Sequence, residues 1–133
     1  MRGLFVTLEG PDGSGKSTMI SLVGQYLAER GIDHVITREP GGTSIGEKIR
    51  GIIIDRDNSK MGAETEALLF AASRAQHVHE KILPSIEAGK VVVCDRFLLS
   101  SLAYQGVGRG LGIQEVKAVN DFGLRGITPD LIL

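Results

Sequence analysis

Residues 10–17 read Gly10-Pro11-Asp12-Gly13-Ser14-Gly15-Lys16-Ser17, a match to the pattern G-x-x-x-x-G-K-[ST]. A short apolar run over 4–8 precedes this stretch, and apolar residues recur at helical spacing over 16–30 behind it, so it joins a buried strand to a helix. Glycines let the backbone turn tightly enough for several N–H groups to meet one anion, and the helix N-terminus adds its dipole. The sequence therefore predicts a phosphate-binding loop rather than a turn without a ligand.

The residue types in this loop and after the apolar run over 91–94 predict which side chains bind phosphate and metal. Lys16 is expected to reach the β- and γ-phosphates of ATP, and Ser17 to ligate Mg²⁺. Asp95 ends an apolar run over 91–94, as the metal-binding acid ends a Walker B strand, and Arg96 places a cation beside it. A surface salt bridge is the alternative for Arg96. The predicted ATP-binding residues are Gly10, Pro11, Asp12, Gly13, Ser14, Gly15, Lys16, Ser17 and Thr18, of which Lys16 and Asp12, with Asp95 and Arg96, are also the predicted catalytic residues.

Composition limits the class of protein. The 133 residues fit a single domain spanning 1–133. Fifteen basic against 16 acidic residues give a net charge of −1, which provides no general field for nucleic acid or membrane, so we expect neither as a partner. Cys94 is the one cysteine, which rules out an internal disulfide. Without a signal-peptide pattern or a long apolar run, we expect a cytoplasmic protein.

The remaining pattern alternates strands and helices. Strands are predicted at 34–37, 91–94 and 130–133, and helices at 44–53, 65–82, 99–104 and 113–122. Ser44 and Glu47 fit a capping box at the start of the second helix, and Pro84 should kink or restart the long one. The predicted core stripe of that long helix is Leu68, Ala71, Ala72, Ala75, Val78 and Ile82. This order predicts an α/β fold in which a parallel sheet carries helices on both faces.

Polar and aromatic residues suggest a second pocket beside the loop. Residues 37–43 follow the second strand, at the sheet edge where ligands of open α/β sheets bind. Phe70 and Arg74 are four positions apart on the long helix, and their ring and guanidinium suit a planar base. Ser101 and Gln105 have the same spacing. Taken singly, Phe70 could be plain core and Gln105 a polar residue at a helix end.

Together, these segments resemble bacterial thymidylate kinase, and the order and spacing match over 5–133. The segments that carry the resemblance are 9–18, Thr37-Arg38-Glu39-Pro40-Gly41-Gly42-Thr43, Phe70-Ala71-Ala72-Ser73-Arg74, and Asp95-Arg96-Phe97 with Ser101 and Ala103-Tyr104-Gln105-Gly106. The resemblance implies a three-layer P-loop nucleoside-monophosphate kinase fold, usually a homodimer. It also implies the reaction ATP + dTMP → ADP + dTDP, a step in dTTP synthesis.

The resemblance further implies roles for individual residues. Phe70 would stack on thymine and Arg74 would hydrogen-bond the base, while Ser101 and Gln105 would help to hold the nucleotide. Asp12 would contact the deoxyribose. Tyr104 would exclude a 2′-hydroxyl, and Glu39 would help to order the metal and the loops near it. The acceptor phosphate would be surrounded by Arg38, Arg50 and Arg96.

Two departures from the family matter. Family members continue beyond residue 133 into a lid and an adenine-contacting segment, so the resemblance implies a domain truncated at its C-terminus; a short edge strand is the plainer interpretation. Positions 11–14 contain no Arg or Lys, which in this family places the catalytic arginine on the lid. Phe97, where Tyr is also common, should matter little.

Other interpretations remain open from the sequence. One is a kinase for another pyrimidine monophosphate, and a second is a catalytically impaired nucleotide-binding fragment. A GTPase-type switch is disfavoured because the N-K-x-D guanine motif is missing from the sequence. His77 and His79 are two positions apart on a helix and should not share a face, so we predict no metal site there.

Overall fold

The computed structural model describes residues 2–10 and 13–133. Four strands form one parallel sheet in the order β2-β3-β1-β4. The strands are β1 (Phe5–Leu8), β2 (His34–Arg38), β3 (Val91–Asp95) and β4 (Leu131–Ile132). The helices are α1 (Lys16–Glu29), α2 (Ser44–Ile54), α3 (Ala63–His77), α4 (Leu83–Glu87), α5 (Leu98–Ser101) and α6 (Ile113–Leu124). Two π-helical segments, Val78–Ile82 and Leu102–Gly108, and a 3₁₀ turn, Arg56–Asn58, complete the elements.

The sheet is covered by helices on both faces, as predicted. Alternate residues of a strand point to opposite faces. Phe5, Val92 and Cys94 pack on one face, against residues of the π-helical segment Val78–Ile82, of α4 and of α6. Leu8 and Val93 pack on the other face, against Leu27 of α1. Phe5 also meets Phe97 edge to face, with ring centroids 4.9 Å apart. This three-layer arrangement confirms the predicted fold class.

The strand register brings the ends of three strands to one edge. Leu8 pairs with Asp95, and Arg38 pairs with the same Asp95 from the other side. The turns that follow β1, β2 and β3 therefore leave the sheet side by side. This edge carries the loop before α1, the turn after Arg38 and the Asp95-Arg96 pair.

Specific contacts at Gly3 and Asp130 determine where β1 begins and where β4 lies. Gly3 is buried, and a Cβ there would overlap the carbonyl oxygen of Lys90, so the close approach of these two backbone segments requires glycine. Asp130 holds the edge strand, because its carboxylate accepts from Phe5 N at 2.8 Å while its own N–H donates to Phe5 O at 2.7 Å.

Two local predictions were wrong. The cap of α2 is Thr43, not Ser44: Thr43 Oγ1 accepts from Gly46 N at 2.9 Å, and Glu47 instead accepts from Gly42 N. Adjacent Thr and Ser are equally suitable caps by type, so the preceding turn decides between them.

The long helix also departs from its predicted stripe. Leu68 is 56% exposed and Ala72 is exposed as well, whereas Val78 and Ile82 are fully buried. The inward face of α3 instead carries polar groups, Ser73, Arg74 and His77. Pro84 lies in the first turn of α4, which confirms a restart.

Among the described residues, no helix combines the length and apolar character needed to cross a membrane.

Candidate active site

The loop before α1 forms a cup lined by backbone and small side chains. Gly13 and Gly15 adopt φ values of +82° and +86°, which favour glycine, and α1 begins at Lys16. The cup is lined by Gly13, Gly15, Lys16, Ser17, Thr18 and Asp95. Backbone N–H groups at a helix start, beside a lysine, are suited to an anion. Pro11 and Asp12, two of the predicted nucleotide-binding residues, lie outside the described part of the chain.

Lys16 has internal partners within the cup. Its Nζ lies 2.7 Å from Asp95 Oδ1 and donates to Gly10 O at 3.3 Å. Ser17 and Asp95 line the same cup, so a hydroxyl and a carboxylate face one space. Oxygen donors of this kind fit a hard cation such as Mg²⁺.

A second cleft of about 270 Å³ opens next to the cup. Most of the residues predicted to bind a substrate lie around it. Its lining includes Glu39, Phe70, Arg74, Arg96, Ser101, Tyr104 and Gln105. The volume is just below the usual range for small-molecule pockets, so the cleft suits a small ligand rather than a polymer.

Two of the predicted arginines lie elsewhere. Arg38 pairs with Glu47 at 2.7 Å and lines a separate groove together with Ser17 and Asp95. Arg50 is half-buried on α2, one turn before Ile53, which does line the cleft. Of the three arginines predicted around an acceptor phosphate, the structure places Arg96 in the cleft lining.

A buried ionic network lies at the base of the cleft. Arg74 and Glu39 have only 3% of their side-chain surface exposed, and Arg74 Nε donates to Glu39 Oε1 at 2.6 Å. His77, which is fully buried, places Nδ1 2.7 Å from Glu39 Oε2 and Nε2 2.7 Å from Thr37 Oγ1. One carboxylate therefore joins the turn after β2 to two residues of α3.

The Arg74 guanidinium is held on its other side as well. Nη1 donates to Asn120 Oδ1 of α6 at 2.6 Å, and Nη2 donates to Phe97 O at 3.3 Å. The Phe97 ring lies below the guanidinium, with Cζ 5.4 Å from its centroid. His77 and Asn120 were not predicted as site residues, because their contacts join positions 38 and 46 apart in the sequence.

Two predicted polar residues, Ser101 and Gln105, are buried at 3% exposure each and line the cleft. Gln105 lies in the π-helical segment Leu102–Gly108, the kind of segment that often occurs at functional sites. Its Oε1 is buried, and no described residue donates a hydrogen bond to it. This acceptor is therefore suited to a ligand N–H.

Glu9 is a further residue that the sequence did not single out. Its Oε1 accepts from Phe97 N at 2.7 Å and from Ser100 Oγ at 2.9 Å. These contacts fix the turn after β3, where Arg96 has a left-handed φ of 65°. A non-glycine residue in this region is uncommon and is held there by its surroundings. The sequence feature that could have identified Glu9 is its position directly before Gly10, the first residue of the phosphate loop.

Within the described part of the chain, one group of three or more His, Cys, Asp or Glu side chains could hold a metal ion: Glu39, His77 and Cys94, whose ligand atoms lie within 4.8 Å of one another. Burial, followed by the charge of Glu39, raises the pKa of Cys94 well above the ordinary value of a thiol, so this residue is a neutral thiol. Both Glu39 oxygens already face Arg74 and His77. A cation here would also meet the Arg74 guanidinium, so the cluster is a structural network.

Comparisons with known proteins point in the same direction. A family profile described as "Thymidylate kinase" matches residues 8–133. The thymidylate kinase of Finegoldia magna is 62% identical over 98% of the chain, and that of Clostridium novyi is 55% identical over 99%; the chain spans 64% of the length of each. The crystal structure of thymidylate kinase from Ehrlichia chaffeensis superposes with a TM-score of 0.91 at 38% identity, covering 99% of this chain and 75% of that one.

Proposed function

Because the chain belongs to the thymidylate kinase family, we propose that it binds ATP and dTMP and transfers the γ-phosphate to give dTDP and ADP. One observation carries this proposal. Asp95 lines the cup of the phosphate loop, and its neighbour Arg96 lines the second cleft. Consecutive residues therefore face two adjacent sites, as transfer between two bound nucleotides requires.

The second cleft supports recognition of the thymine base. Phe70 offers a ring for stacking, and Arg74 offers N–H groups to a carbonyl oxygen. Because Glu39 balances the charge of Arg74, this end of the cleft favours a neutral acceptor over a phosphate. Ser101 and Gln105 supply further polar contacts from the buried side.

The sugar and acceptor phosphate are assigned to the cleft rim. Tyr104 is half exposed and lines the cleft, where its ring would crowd a 2′-hydroxyl. Contact between the deoxyribose and Asp12, which lies outside the described residues, stays a prediction. Arg96 would bind the acceptor phosphate. Contacts of Arg38 and Arg50 with the acceptor phosphate stay predictions, because neither residue lines the cleft.

The chemistry needs positioning and charge neutralisation more than a base. The acceptor is already a phosphate oxygen at neutral pH, so Lys16 and Arg96 act by placing charge around an in-line transfer. Ser17 and Asp95 would hold Mg²⁺, which neutralises charge on the donor phosphates when bound.

A calorimetric binding panel tests this assignment. We expect the chain to bind ATP in the presence of Mg²⁺ and to bind dTMP with at least about tenfold preference over UMP and CMP, since buried polar groups left without partners disfavour the wrong base. ADP release with each monophosphate then measures turnover. Preference for UMP or CMP would refute the base assignment, and absence of heat with both ATP and dTMP would refute the function.

We also propose that two copies associate through α3 and α6. Leu68 is 56% exposed, Val119 is 41% exposed and Phe122 is 96% exposed. Gly123 of α6 packs against Ala75 of α3, so these apolar side chains belong to adjoining helices. Exposed apolar surface of this kind is typical of protein interfaces.

The oligomeric state tests this interface. Sedimentation should show a dimer for the wild-type chain and a monomer for Phe122→Asp, because a charge would then be buried in an apolar contact. Ile45→Asp, at an exposed isoleucine of α2, is the matched control and should remain dimeric. A wild-type monomer at all concentrations contradicts the proposal.

A further inference from the structure

We propose that His77 and Asn120 are positioning residues for base recognition: they fix the Arg74 guanidinium so that its remaining N–H groups face the ligand in one orientation. The inference rests on the proposed function, since it concerns the site assigned to thymine. Neither residue lines the cleft, so both act through others.

The donors of Arg74 can be counted. A guanidinium has five N–H groups. Three are used within the chain, one each by Glu39 Oε1, Asn120 Oδ1 and Phe97 O, which leaves two, one on each terminal nitrogen. Because the three acceptors lie on different elements, the plane of the group is fixed before any ligand arrives. Preorganised donors of this kind bind an acceptor more tightly than mobile ones.

His77 acts on this plane through Glu39. With Glu39 Oε2 engaged by His77 Nδ1 at 2.7 Å, the carboxylate cannot rotate freely, and Oε1 stays in line with Arg74 Nε. The other ring nitrogen faces Thr37 Oγ1, which fixes the ring itself. The hydrogen bond from His77 Nδ1 to Glu39 therefore acts directly on the partner of Arg74. The hydrogen bond between Nε2 and Thr37 acts only indirectly, by orienting the imidazole ring.

Asn120 holds the opposite side of Arg74. Its Nδ2 donates to Val116 O, one turn earlier on α6, at 2.8 Å. This bond sets the orientation of the amide, so that Oδ1 is the atom presented to Arg74 Nη1. A hydrogen bond from a charged donor is among the stronger kinds, which suits a residue that must stop a side chain from turning.

Two substitutions at His77 can each keep one of its two hydrogen bonds, because Asn and Gln place their amide nitrogens at different distances along the side chain. The amide nitrogen of Asn lies as many bonds from Cα as Nδ1 of His, and that of Gln as many as Nε2. His77→Asn therefore keeps a donor for Glu39, whereas His77→Gln keeps only the contact with Thr37. We expect dTMP binding to weaken at least about tenfold in His77→Gln and to stay within about threefold of wild type in His77→Asn, with ATP affinity unchanged in both.

The outcomes distinguish positioning from general support of the fold. Equal loss of dTMP affinity in both His77 variants, or an equal loss of ATP affinity, would overturn the inference, and so would wild-type dTMP binding in His77→Gln. Absence of dTMP binding by the wild-type chain would instead refute the proposed function, and the inference with it.

Asn120→Leu keeps the inference testable if a His77 variant does not fold. It should weaken dTMP binding at least about tenfold and spare ATP binding, because one anchor of Arg74 is lost. Gln114→Leu, at an exposed position of the same helix, removes an amide away from the network and should bind both nucleotides normally. Wild-type dTMP affinity in Asn120→Leu would contradict the role of Asn120.

Discussion

Replacement of Lys16 by alanine should lower dTMP-dependent ATP consumption by about 100- to 1,000-fold, the effect of removing one preorganised charge from a transition state. The lysine begins α1 and is the one cation lining the cup among the described residues. Its loss leaves the backbone N–H groups of Gly13 and Gly15 in place. ATP should therefore still bind, but more weakly, and calorimetry with Mg²⁺ separates this loss from the loss of turnover.

The fold should survive this substitution. The partners of the Lys16 side chain, Gly10 O and Asp95 Oδ1, lie at the start of the phosphate loop and at the end of β3, not in the core. Circular dichroism should be unchanged. Lys117→Ala is the control, because Lys117 forms an exposed pair with Asp121 on α6, worth about 0.5 kcal/mol or less. Near-normal turnover in Lys16→Ala would refute the role assigned to the loop.

Replacement of Arg74 by methionine should abolish measurable dTMP binding and destabilise the fold by about 3–5 kcal/mol, because Glu39 is left as a buried charge without its main partner. Both side chains have 3% of their surface exposed, so water cannot replace the lost contact. Chemical denaturation measures the change in the free energy of unfolding, and calorimetry with ATP shows whether the phosphate loop remains intact.

Two further variants test the physical reason. Arg109→Met removes the same type of side chain from an exposed pair with Glu66, so its cost should be at most about 1 kcal/mol. Adding Glu39→Gln to Arg74→Met removes the buried charge and should recover part of the lost stability, but not dTMP binding. If Arg74→Met and Arg109→Met destabilise equally, the buried pair is not the source of the effect.

Much of the fold and part of the site followed from local sequence. The strand before Gly10 and the helix from Lys16 were predictable because the phosphate loop sets both ends, and β3 was predictable because an apolar run ending in Asp95 suits a strand buried on both faces. Helical spacing also placed Phe70 and Arg74 on one cleft wall.

The rest depends on contacts between distant positions. Apolar periodicity placed Val78 and Ile82 in the core correctly, but it also placed Leu68 and Ala72 there, and both are exposed. The inner face of α3 is polar because Glu39 and Asn120 of α6 supply hydrogen-bond partners for Arg74. No local pattern predicts that His77 and Asn120 belong to one hydrogen-bond network. The spacing of the residues around them does not show where the turn that carries Glu39 lies in the fold.

Because Lys16 Nζ already lies 2.7 Å from Asp95 Oδ1, a nucleotide that binds in the cup would have to compete with this carboxylate for the lysine. A donor phosphate must take the ammonium from a carboxylate that already holds it, and the displaced carboxylate would then face an anion of its own sign. A divalent cation held by Ser17 and Asp95 would reduce this repulsion by neutralising charge on the donor phosphates. We therefore expect ATP with Mg²⁺ to displace the contact between Lys16 and Asp95 more readily than ATP alone, which would have to do so against electrostatic repulsion.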